Sequence, residues 1–85
     1  MDAANLEPFD ELIRQLRTHG HLVEAETISI LRALAWTSAS EMTGELGLAI
    51  LRIESQCAIG HDDLKQAFAH CMKEIRKIWP HIKLP

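Results

Sequence analysis

Residues 62–79 place the strongest constraint on what this chain folds into. Leu64, Phe68, Cys71, Met72, Ile75, Ile78 and Trp79 recur at intervals of three and four. At 100° per residue, that spacing gathers all seven on one side of a helix. Lys65, Lys73, Arg76 and Lys77 fall on the other side. Asp62 is a natural N-cap, Asp63 adds charge to the first turn, and Pro80 is a stop signal. No stretch shows the sustained alternation of a strand, and the chain has no tyrosine.

Three more segments have helical spacing. Phe9, Leu12, Ile13 and Leu16 form one clean stripe over residues 8–18. Pro8 is acceptable at the first helical position, where an N–H would have no partner anyway, and Gly20 stops the run. Residues 21–36 are apolar on two sides, with Val23, Ile30, Leu31 and Leu34 pointing one way and Ala25, Ile28 and Ala35 another. After a break at 37–38, Ser38 and Glu41 have capping-box spacing, with Ser40 a competing cap. The helix that follows runs to residue 57 or 58 on a stripe of Met42, Leu46, Ala49, Ile50, Ile53 and Cys57. Gly44, Gly47 and Leu51 lie opposite that stripe. Each internal glycine costs about 1 kcal/mol relative to alanine, which points to close approach of another backbone or to a local kink.

Eighty-five residues make one domain, and 47% apolar with 25% charged residues is a globular composition. The expected fold is all-α: a compact antiparallel bundle of four helices, roughly 8–18, 21–36, 39–58 and 62–79, because short loops favour antiparallel neighbours. The first and fourth helices are expected at the periphery and the second and third more enclosed. Residues 1–6 and 81–85 are expected to be loosely ordered.

No run of eighteen apolar residues exists, and the acidic N-terminus lacks the apolar segment of a signal peptide. A cytoplasmic location is therefore expected. With Gly60 as a turn, Cys57 and Cys71 would lie about 4.5 Å and 16 Å from it along their helices, too far apart to bridge. Both are read as buried thiols.

Residues 1–63 hold eleven acids and four bases, and residues 64–85 hold one acid and five bases. That balance argues against nucleic acid as a partner. In a helix-turn-helix reading, the recognition helix would carry Glu41, Glu45 and Glu54 against Arg52 alone, the wrong charge for a phosphate-lined groove.

The candidate chemistry is sparse. Five histidines form no Cys-x-x-Cys or His-Glu-x-x-His motif, so no metal site and no cofactor is expected. His19 and His21 flank Gly20, and Gly60 should break any helix aligning Cys57 with His61. His70 and Lys73 give the His-x-x-Lys spacing of histidine phosphotransfer domains. Glu74 stands where those domains usually place glycine, and it would repel a phosphoryl group. No nucleophile has a base and a cleft visible in the sequence, so no catalytic residue is assigned.

What remains is a surface on the third helix. Glu41, Glu45, Leu48, Leu51 and Arg52 are the candidate partner-binding residues, because they add an acidic strip and apolar positions beyond the core stripe. The expected partner is another protein, foreign or a second copy of the chain, with no membrane and no nucleic acid. The stretch Gly44-Glu45-Leu46-Gly47-Leu48-Ala49-Ile50 resembles the Gly-Glu-x-Gly-Leu-Ala region of small helical immunity proteins of the Maf and contact-dependent-inhibition type. The resemblance implies a non-enzymatic protein that neutralises a secreted bacterial toxin by binding it. Leu46 stands where that family tends to have an aromatic residue, and Arg52 where acids tend to follow.

Overall fold

The computed structural model describes residues 7–34, 38–57 and 61–84. They form four helices, α1 (Glu7–Thr18), α2 (Leu22–Ala33), α3 (Ala39–Cys57) and α4 (Asp62–Ile75), with no strand among the described residues. Each helix packs on its neighbours in sequence, and α4 closes on α1. Among the described residues the backbones of the diagonal pairs stay more than 8 Å apart between Cα atoms, so the four helices ring one shared core.

The helix ends follow local chemistry. Gly20 has a φ of +83°, a left-handed conformation that side chains with a Cβ rarely adopt. The His21 amide donates to the Leu16 carbonyl at 2.8 Å and the Gly20 amide to Arg17 at 3.1 Å. These two bonds are the Schellman pattern, and they satisfy the last carbonyls of α1. At the start of α3, the Glu41 amide donates to the Ser38 hydroxyl at 3.1 Å, so Ser38 rather than Ser40 is the cap. Ser38→Ala is expected to destabilise the fold by about 1 kcal/mol, read as a lower urea midpoint at unchanged slope.

Two helices end earlier than their spacing predicts. On α2, Leu34 is already extended at the C-cap; Ala35 and Trp36 lie outside the described residues, as does the turn expected at Gly60. On α4, the regular helix stops at Ile75 rather than Trp79. Pro80 is the physical reason. Its ring disfavours helical geometry at Trp79 and would strike the carbonyl of Arg76 in a continued helix. Tighter bonds interrupt the α pattern, with Lys77 N–H donating to Glu74 at 3.3 Å and Ile78 N–H to Ile75 at 3.0 Å, before Trp79 N–H makes one last α-type bond to Ile75 at 2.8 Å. A β-turn follows, closed by the Ile82 amide on the Trp79 carbonyl at 3.2 Å, with proline at its favoured second position.

The distribution of buried residues reverses the expected enclosure. The outer-looking α1 and α4 supply most of the core, with Phe9, Leu12, Ile13 and Leu16 from one and Leu64, Ala67, Phe68, Cys71, Met72 and Ile75 from the other. The two-sided α2 buries only Ala25 and Ile28, with Leu31 partly covered, while Val23, Ile30 and Leu34 face out. In a ring of four, each helix has one inward face, so a clean stripe is used in full and a split one only in part. On α3, Leu46, Ile50, Ile53 and Cys57 are buried as the stripe predicts, with Met42 and Ala49 partly so. Both cysteines are free. Cys71 donates its thiol proton to the Pro8 carbonyl at 3.1 Å, and burial, then Glu74, pushes its pKa up to about 12.

Candidate functional site

The site is built where the C-terminal turn meets the first half of α3. The turn over residues 79–82 sets two apolar side chains three residues apart, and α3 offers two glycines three residues apart. They dock in register. The Trp79 ring covers Gly44, where a Cβ would stand 3.3 Å from Cε2. Ile82 and Ile75 cover Gly47, where a Cβ would stand 2.6 Å from Ile82 Cδ1 and 2.9 Å from Ile75 Cγ2. The Trp79 indole N–H donates to the Ser40 carbonyl at 2.8 Å, which fixes the ring over the start of α3. The two glycines thus admit side chains from the C-terminal segment, not the neighbouring backbone that the sequence suggested.

This docking leaves an open groove of about 490 Å³. Gly44, Leu48, Trp79 and Ile82 line it together with Glu41 and Glu45, whose side chains are exposed. Trp79 remains 42% exposed, so an amphipathic ring lines the opening. Of the residues singled out from sequence, Glu41, Glu45 and Leu48 meet here. Leu51 is drawn inward and packs against the core. Arg52 lies about 6 Å further along α3 than Leu48 and lines a smaller hollow at the α2–α3 seam with Val23, Glu24 and Gln56. Trp79 and Ile82 were not singled out. The signal available was a tryptophan and an isoleucine bracketing Pro80, a turn-forming proline.

His70 is exposed on α4 while Cys71 beside it is buried. Carboxylates outnumber cations around His70: Glu7, Asp10 and Glu11 share one hollow with it beside Arg14, and Glu11 and Asp63 another. Sequence spacing also failed to group three residues at the far end of the bundle, His21, Glu24 and Cys57, whose side-chain donor atoms lie within 4.8 Å of one another. The Cys57 thiol is held above its ordinary pKa, first by burial and then by the Glu24 carboxylate. Among the described residues, no helix is long and apolar enough to cross a membrane. No protein-family model, curated protein or solved structure matches this chain.

Proposed function

We propose that this chain is a non-enzymatic protein-binding module that receives an apolar side chain of its partner in the groove between α3 and the C-terminal turn. The carrying observation is the groove itself, lined by the apolar side chains of Leu48, Trp79 and Ile82 and by two exposed carboxylates. Buried aromatic and aliphatic anchors supply most interface affinity, and rim charges mainly select and steer the partner. The geometry therefore favours a partner segment with an apolar anchor flanked by basic residues. A secreted bacterial toxin is one such partner, in keeping with the likeness of residues 44–50 to immunity proteins. Within this chain, the glycines of that likeness have a packing role, because Gly44 and Gly47 admit Trp79 and Ile82.

The test compares wild type, Glu41→Lys/Glu45→Lys and Leu48→Asp as baits in a native lysate of the source cell. A partner retained by wild type should be retained at least about 10-fold less by the charge reversal, with the deficit largest at low salt. Equal recovery by all three baits, or recovery of nothing by wild type, contradicts the proposal.

A second reading has its own observation. Val23, Ile30 and Leu34 are 75%, 50% and 49% exposed and share the outer face of α2, a surface suited to a second copy across a two-fold axis. Sedimentation of a clean monomer at micromolar concentration removes it. Phosphotransfer through His70 has less support, because the carboxylates around it repel a phosphoryl group. Acetyl phosphate followed by mass spectrometry, with His70→Ala as control, checks that reading.

A further inference from the structure

The end of the bundle remote from the groove brings together metal-ligating side chains from two helices. The turn at Gly20 places His21 directly before α2, and Glu24 lies in the first turn of that helix. Helix α3 packs against α2 and ends at Cys57. One imidazole, one carboxylate and one thiol thus converge from segments more than thirty residues apart in sequence, with donor atoms all within 4.8 Å of one another. Tetrahedral zinc with bonds of about 2.0–2.3 Å spaces its ligand atoms by roughly 3.3–3.8 Å. Side-chain rotations of about 1 Å close that difference without moving a helix.

The surroundings suit a bound ion. Cys57 is 6% exposed, while His21 and Glu24 are half-buried, so the donors sit at the edge of the core and within reach of solvent. His21 is the N-cap residue of α2 yet makes no side-chain capping bond, so its ring nitrogens are not engaged by the helix end. A thiolate and a carboxylate together offset the charge of a divalent cation. The sulfur selects against magnesium and calcium, which take oxygen ligands, and favours a borderline metal such as zinc. A fourth position remains for water or for one of two further imidazoles: His19 and His61, two and four residues from His21 and Cys57, stack at this end with ring centroids 4.1 Å apart.

We propose that His21, Glu24 and Cys57 form a zinc-class divalent cation site that clamps the start of α2 to the end of α3. On binding, a metal–sulfur bond forms as the Cys57 thiol releases its proton to solvent, while neutral imidazole and carboxylate each donate a lone pair. Gly44 and Cys57 are thirteen residues apart on α3, roughly 20 Å, so the site stands or falls independently of the groove.

Cobalt(II) titrated into the reduced full chain is the direct test, because thiolate coordination gives a charge-transfer absorption that zinc displacement removes. One equivalent should saturate the band. Cys57→Ala should abolish it, and His21→Gln and Glu24→Gln should each weaken cobalt binding at least about 10-fold, since even loss of an outer-shell group costs that much. His70→Gln should leave it unchanged. Circular dichroism checks that each variant is folded, and the two glutamine variants, at half-buried positions, keep the test valid if Cys57→Ala is not. Zinc should raise the thermal midpoint of wild type and not of His21→Gln. No charge-transfer band with wild type, a band that survives Cys57→Ala, or unchanged affinity in both glutamine variants would overturn the proposal.

Discussion

Phe68→Ala should cost about 3–5 kcal/mol and take the protein to the margin of folding. Phe68 has no exposed surface and sits in the middle of the α4 stripe, where the helix closes on α1. Its removal forfeits the transfer energy of the ring and leaves a cavity that the surrounding helices only partly fill. At roughly 0.05–0.15 kcal/mol per residue, a chain of 85 residues has a total stability of about 4–13 kcal/mol. The substitution therefore removes a large share of it and lowers the thermal midpoint by at least about 12 °C. Lys73→Ala, on the exposed side of the same helix, should stay within about 0.5 kcal/mol of wild type. Thermal and urea unfolding followed by circular dichroism read both. A loss under 1.5 kcal/mol for Phe68→Ala would mean that α4 is not the keystone of this core.

Gly47→Ala should destabilise by up to about 2 kcal/mol, although alanine is the better helix former. The added methyl meets Ile82 Cδ1, the end of a flexible side chain in the C-terminal turn, and Ile75 Cγ2, which belongs to a fully buried β-branched residue and has nowhere to go. Overpacking of this kind costs about 1–3 kcal/mol, which outweighs a helix-propensity gain of about 1 kcal/mol. A double-mutant cycle isolates the cause. Ile75→Ala alone should cost about 2–5 kcal/mol, but in that background Gly47→Ala should turn neutral or stabilising, an interaction of about 1–2 kcal/mol. Strict additivity would remove the steric explanation. Gly44→Ala is the contrasting case. Its methyl meets only the partly exposed Trp79 ring, which can lift by the few tenths of an ångström required, so stability should stay within about 1 kcal/mol of wild type.

The two glycines also mark how far the sequence could be read. Their cost inside α3 signals that something approaches closely, because no local requirement places glycine there. What approaches is set by Pro80, which ends the helical geometry of α4 and folds Trp79 and Ile82 back over α3. Helical periodicity alone assigned Trp79 to the α4 stripe, since Trp79 keeps the 3.6 spacing past the point where Pro80 breaks the backbone pattern. The acidic rim at Glu41 and Glu45 was legible as an outward strip, and Leu48 as its apolar neighbour. The groove they border was not, because its far wall comes from residues more than thirty positions away.

Local chemistry along the chain suffices to specify four helices, their starts to within one residue, and the inward faces of α1, α3 and α4. Those properties depend on interactions within about four residues, which caps, glycine stops and 3.6-residue spacing encode directly. The packing of the helices is what settles which side of α2 enters the core, what Gly44 and Gly47 make room for, and that His21, Glu24 and Cys57 meet at one end of the bundle. Each of these is a contact between segments distant in sequence, fixed by how the helices close around a shared core and by no periodicity along any one of them.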